Sequence, residues 1–234
     1  ADLTGRREPP AALGIRTFRE QMPVVPAGAV DRPTYRTVRA TTHVQLWLLE
    51  GRDYRSPNRM EDGPEKSLWG RAQRQWLERT LLQSDATWKL IVTPTPMVGP
   101  DGDRKRDNHT NSRGFRHEGD QFFHWLKQHR LSNVVLFAGD RHWQYHSVHA
   151  TGISEFCCGS LHREVAVGNP PLPGEERSTD PKKLVEQRYV TSRQDGGFLR
   201  AVVGSDGLLE VELIDQQGDV QYTYQAKAPT RSKQ

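Results

Sequence analysis

The sequence predicts a layered α/β fold. Three features carry that expectation. Apolar strand-like runs at 43–49, 88–93 and 133–138 alternate with segments of helical period. The first and last of these runs break off abruptly into polar residues. The tail from Phe198 to Ala226 reads as short strands separated by Gly-containing turns.

The elements follow in order. Residues 1–40 read as irregular, a wrapping segment, because prolines at 9, 10, 23, 26 and 33 oppose long helices and central strands. His43 to Leu49 is nearly continuous in apolar residues, which predicts a strand covered on both faces. It stops in Glu50-Gly51-Arg52-Asp53-Tyr54-Arg55. From Leu68 to Leu82, Trp69, Gln73, Trp76, Leu77 and Leu81 recur at three or four residues, a helix that Ser67 can cap. Trp88 to Thr93 is a strand closed by Pro94 and Pro96, and a polar loop runs from Gly99 to Arg116. A second helix is expected from about Glu118 to His129, with Phe122, Trp125 and Leu126 on one side. Asn133 to Ala138 is the strongest strand and runs directly into Gly139-Asp140-Arg141-His142. Residues 163–195 read as loop, and Phe198 to Ala226 as a three-stranded meander turning at Ser205-Asp206-Gly207 and Gln217-Gly218-Asp219. Thr230 to Gln234 is expected to fray. Strand, helix, strand, loop, helix, strand is the order of a layered α/β core. The expected organisation is therefore a wrapping segment at 1–42, an α/β core at 43–160, a loop at 161–197 and a β-rich tail at 198–226.

Composition narrows the function classes. The 234 residues carry 33 Lys and Arg against 29 Asp and Glu, a formal charge of +4. Basic residues are interspersed with acids, as in Arg104-Lys105-Arg106-Asp107, so no single-sign stripe supports specific nucleic-acid binding. No apolar run approaches the roughly 18 residues of a membrane span. Ala1 to Pro10 lack the basic-then-apolar pattern of a signal peptide, which a longer precursor could have lost. Two adjacent cysteines, Cys157 and Cys158, make no disulfide framework. There is no phosphate loop of the Walker type and no GxSxG elbow.

Three stretches can carry chemistry. Asp140 and His142, two apart after an apolar strand, can face one rim as a hard oxygen donor and a neutral nitrogen donor for a divalent or trivalent metal ion. The alternative is a turn-capping Asp and a packed surface His. His146 and His149 follow. On a strand His146 shares the face of His142, which makes it a second candidate, also for substrate binding, whereas His149 reads as structural. The loop Asp107-Asn108-His109-Thr110-Asn111 can orient a water or donate to phosphate oxygens, or it is a solvated turn bonding to its own backbone. Arg52, just beyond the first strand, can fork onto a phosphate or form a buried pair with Glu50.

In order and spacing, these stretches together resemble the PhoD-like metallophosphoesterases, relatives of the calcineurin-like phosphatases. The matching segments are Leu48 to Arg55, Leu68-Trp69-Gly70 with Gln73, Trp76 and Leu77, Ser84 to Lys89, Asp107-Asn108-His109 with Asn111, and Gly139-Asp140-Arg141-His142-Trp143. The resemblance covers roughly residues 45–160. It implies an αββα sandwich and metal-dependent hydrolysis of phosphate mono- or diesters. By that resemblance Asp140 and His142 would be metal ligands, and Arg52 and the Asn108/His109 loop would lie near the substrate pocket. The expected site is then Asp140 and His142 on the metal, Asn108 and His109 as catalytic groups, and Arg52, Asn111 and His146 on the substrate. It implies iron with calcium, or manganese, magnesium or zinc, and a periplasmic or secreted enzyme. The family's earlier metal motifs are absent, so the chain matches the C-terminal half of such a domain. The expectation is a fragment, or a subunit whose N-terminal half is supplied by another chain. The competing expectation is a non-catalytic interaction module that keeps the fold.

Overall fold

A computed structural model describes residues 11–22 and 32–228. The expected frayed end, Thr230 to Gln234, lies outside the described residues. Seven strands form one sheet in the order β1-β2-β3-β4-β6-β5-β7: β1 (Arg36–Arg39), β2 (Val44–Leu48), β3 (Trp88–Thr93), β4 (Val134–Ala138), β5 (Gln144–Val148), β6 (Ser154–Cys158) and β7 (Glu186–Val190). Strands β2, β3, β4 and β6 run parallel, so their carboxyl ends share one rim. Helix α2 (Gly70–Gln83) links β2 to β3 and α3 (Arg116–Gln128) links β3 to β4. A second sheet, β8 (Gly197–Val203), β9 (Leu208–Asp215) and β10 (Val220–Lys227), is the expected antiparallel meander.

Alternation along the strands assigns the two faces of the large sheet. Trp47, Ile91, Val134 and Leu136 pack with Leu77, Leu81, Phe122 and Leu126 beneath the helices. Leu46, Leu90, Val135, Phe137 and Phe156 meet Leu199, Leu209, Val211 and Tyr224 of the small sheet. Two long-range hydrogen bonds pin the sheets together: Trp88 Nε1 donates to the Gly207 carbonyl at 2.8 Å, and Gln144 Nε2 to that of Ile214 at 2.9 Å.

Several expectations change. The segment 1–40 is not uniformly irregular: Ala11–Gln21 is a helix, α1, and β1 is an edge strand. Prolines break helix interiors, and none lies between Pro10 and Pro23, so eleven residues are free to coil. β2 is only half-buried apart from Trp47, because it pairs with a short edge strand. The stretch 163–195 contains β7, and β6 has no clear sequence signal. Ser67 does serve the start of α2, with its Oγ accepting from Gly70 N at 2.7 Å.

The path between β4 and β6 creates the site. After β4 the chain passes over one strand position, returns antiparallel as β5, and then fills the gap with β6. Residues 139–143 make that step at the carboxyl rim, the kind of topological switch where α/β sheets bind ligands.

Candidate active site

Three strand ends build the rim. Leu49 N bonds to Val92 O and Gly139 N to Thr93 O, both at 3.0 Å, which carries the strand pairing into the rim loops. Gly51 is required there, since a Cβ would sit 2.6 Å from Pro94 Cγ. Gln73 reaches from α2 and bonds both backbone groups of Glu50, with its Oε1 accepting at 2.7 Å and its Nε2 donating at 2.8 Å. Glu50 in turn accepts from Arg52 N at 2.6 Å and from Thr34 Oγ1 at 3.2 Å. Arg52 therefore stands exposed on an anchored turn, while the buried arginine of this segment is Arg55. Asp53 meets Arg19 of α1 at 3.6 Å; burial and the Glu50 charge still push its carboxyl above the ordinary range.

The residues after β4 alternate. Asp140 and His142 are exposed, and Arg141 between them is buried at 4 %. Asp140 has φ +66°, the left-handed region that a non-glycine residue seldom occupies and that is concentrated at functional sites. His142 Nδ1 lies 2.7 Å from the Val165 carbonyl. A carbonyl only accepts, so Nδ1 donates, and in the neutral ring this leaves the lone pair on Nε2, the arrangement that a backbone carbonyl imposes on a metal-binding imidazole. An exposed carboxylate and an imidazole with a free Nε2 fit a cation chemically. Two donors do not complete a coordination shell, and no cluster of three or more His, Cys, Asp or Glu positioned for a metal occurs among the described residues.

Beneath the rim lies a network that sequence reasoning missed. The Arg141 guanidinium contacts three carboxylates: Asp140 at 2.5 Å, Asp101 at 3.2 Å and Asp107 at 3.5 Å. Asn108 Nδ2 donates to Asp101 at 2.6 Å, and Asp101 takes Gly102 N at 2.7 Å. Burial pushes the Asp101 carboxyl up, opposed mainly by Arg141. Arg55 lies in the same field; desolvation and Arg52 lower its pKa, whereas Asp107 and Asp140 raise it. The signal in the sequence was the arginine between two candidate ligands in Asp140-Arg141-His142, but two of its three partners, Asp101 and Asp107, lie 40 and 34 positions earlier.

The structure does not bring the other predicted residues to the rim. Asn108 is fully buried, and its oxygen accepts from Thr110 N at 2.9 Å and Thr110 Oγ1 at 2.8 Å. His109 is buried against Trp69 and Phe115 with Nε2 3.0 Å from Glu118. Burial alone would raise Glu118, but His109, Ser67 and Leu68 N together hold its carboxyl below the ordinary value. Asn111 bonds the carbonyls of Asp103 and Lys105 and accepts from Arg113 N. His146 is enclosed between the two sheets, stacked on Phe156 at 4.0 Å and bonded to Tyr222 and Ser154. Asn108, His109, Asn111 and His146 are thus each bonded to neighbours within the fold. Cys157 and Cys158 are unpaired with each other, and burial pushes both thiols up, away from reactivity.

No curated protein matches the sequence. Solved structures share the fold. A structure of PhoD matches with TM-score 0.66 at 18 % identity, over 94 % of this chain and 49 % of that one. GAP50, described as the anchor in the inner membrane complex of Plasmodium, gives 0.53 at 12 % over 84 % and 55 %. The purple acid phosphatase PPD1 from yellow lupin (Lupinus luteus) seeds gives 0.51 at 12 % over 86 % and 34 %. The chain thus spans about half the length of PhoD, with an α/β fold of the calcineurin-like metallophosphoesterase type. The PhoD-like phosphatase family model matches residues 3–225, and the chain belongs to that family.

Proposed function

We propose that this chain forms the C-terminal half of a metal-dependent phosphoric ester hydrolase of the phosphodiesterase or alkaline-phosphatase type. The observation that carries the reading is the His142 imidazole, whose Nδ1 is tied to Val165 O beside exposed Asp140 at the end of β4. Asp140 supplies a hard oxygen and His142 Nε2 a nitrogen to a cation site suited to iron with calcium, or to manganese, magnesium or zinc. When bound, such ions supply Lewis acidity to the phosphoryl group and acidify water. Arg52, exposed on its anchored turn, is placed to fork onto a phosphate oxygen. The expectation of an exported enzyme rests on the family resemblance alone.

Two donors need companions, and we infer that they come from an N-terminal half in the same chain or another. An apolar cavity of about 530 Å³ opens beside Gly139 on the side of the large sheet that faces the small one. Leu48, Val92, Phe137, Phe156, Leu161 and Phe198 line it, with Leu161 81 % exposed.

Replacing His142 by Ala in the native assembly should abolish hydrolysis of p-nitrophenyl phosphate and its diester with the circular dichroism spectrum unchanged. Unchanged turnover rejects the assignment. A non-catalytic module is the second reading, favoured by the two-donor set; elemental analysis without tightly held iron, calcium or another such metal would support it. The native mass tests the companion half, which should appear as additional polypeptide of comparable size.

A further inference from the structure

Arg141 has no role in the reading above, yet it is the best-connected side chain of the rim. It is 4 % exposed and lies in contact with three carboxylates contributed by two separate segments. Two of them anchor it from below. Asp101 is buried at 1 % and held by Asn108 Nδ2 and Gly102 N; its backbone N accepts no freedom either, since it donates to Thr179 Oγ1 at 3.0 Å and its carbonyl receives Thr179 N at 2.8 Å. Asp107, the second anchor, is braced by Asn108 Nδ2 at 3.4 Å. The third carboxylate, Asp140, lies on the exposed side. Nε faces Asp101, and Nη2 lies between Asp107 at 3.5 Å and Asp140 at 2.5 Å. With the planar guanidinium held by Asp101 and Asp107, Nη2 reaches Asp140, whose backbone is in the left-handed conformation.

We propose that Arg141 is a positioning residue for the cation site. It locks the Asp140 carboxylate in one orientation before any metal arrives and links that orientation to the loop 101–107. This rests on the reading that Asp140 and His142 bind metal. A carboxylate that needs no rotamer search binds more tightly, and losing such outer-shell support lowers metal affinity by about 10- to 100-fold. Lysine is not equivalent, because one ammonium cannot reproduce a planar fork that sets Nε against Asp101 and Nη2 against Asp107 and Asp140.

The test is titration with Co²⁺ of the protein in its native assembly. Arg141→Lys should weaken Co²⁺ by about 10- to 100-fold and shift the visible absorption bands of the bound ion. Partial unfolding would lower the band intensity without moving the bands, which separates positioning from a general loss of structure. If Arg141→Lys does not fold, Asp107→Asn removes one anchor at the half-buried edge and should give a smaller loss with the same band shift. Asp140→Asn and His142→Ala serve as references. If neither reference weakens Co²⁺, the metal reading itself fails. If both weaken it while folded Arg141→Lys, or Asp107→Asn in its place, keeps wild-type affinity and bands, the metal reading stands and the role of Arg141 is overturned.

Discussion

Acidification should loosen the docking of the small sheet through His146, and the size of the effect can be worked from its surroundings. The imidazole is fully buried, stacked on Phe156, with Nδ1 2.9 Å from the Tyr222 hydroxyl and Nε2 3.2 Å from Ser154 Oγ. Burial first, and the Arg188 charge second, push its pKa down to about 3. The unfolded chain protonates near 6.5. A folded pKa below the unfolded one means that the stabilisation is complete above pH 6.5 and is lost as pH falls toward 3. At pH 5 the unfolded state gains about 1.5 pK units of proton binding that the folded state does not. At about 1.36 kcal/mol per unit, this amounts to roughly 2 kcal/mol. Other groups also titrate, so the assay is a difference of differences. Urea unfolding of wild type and His146→Phe is followed by tryptophan fluorescence at pH 7 and pH 5. Phe keeps the stack on Phe156 and cannot charge, so wild type should lose about 2 kcal/mol more than the variant between the two pH values. Equal losses would refute the reasoning.

Two further substitutions probe how the rim is held. Gly51→Ala forces a Cβ to within 2.6 Å of Pro94 Cγ, where the ends of β2 and β3 meet; it should cost about 1–3 kcal/mol, seen as a melting point several degrees lower, and an unchanged melting point would show that the turn relaxes freely. Glu155, fully buried, accepts from Met97 N, Val98 N, Gly99 N and Tyr145 Oη at 2.7 to 3.1 Å. Glu155→Gln turns an amide donor toward those donors, so it should cost about 1–3 kcal/mol and speed proteolysis within residues 94–101; wild-type cleavage rates would contradict it.

Elements whose own residues decide their environment were legible. Trp88–Thr93 and Val134–Ala138 are apolar enough to read as buried strands, and α2 and α3 show helical period in the residues they bury. β6, Ser-Glu-Phe-Cys-Cys, was not legible, because its buried Glu155 is tolerable only once four distant donors surround it. The surroundings of His109, Asn108, Asn111 and His146 were not legible for the same reason. Each is buried against a partner that its own segment does not name: Glu118, Asp101, the Asp103 carbonyl and Tyr222.

Asp140 and His142 followed from sequence because a strand end is a local property, and polar residues beyond an apolar strand must lie at a rim. The layered α/β class and the meander were readable on the same local grounds. Tertiary structure alone decided that β6 inserts between β4 and β5, that Asp101 and Asp107 come up beneath Arg141, and which histidines are enclosed. Strand order and the pairing of charges depend on contacts between residues far apart in the chain, and hydrophobic period carries no record of which distant group arrives.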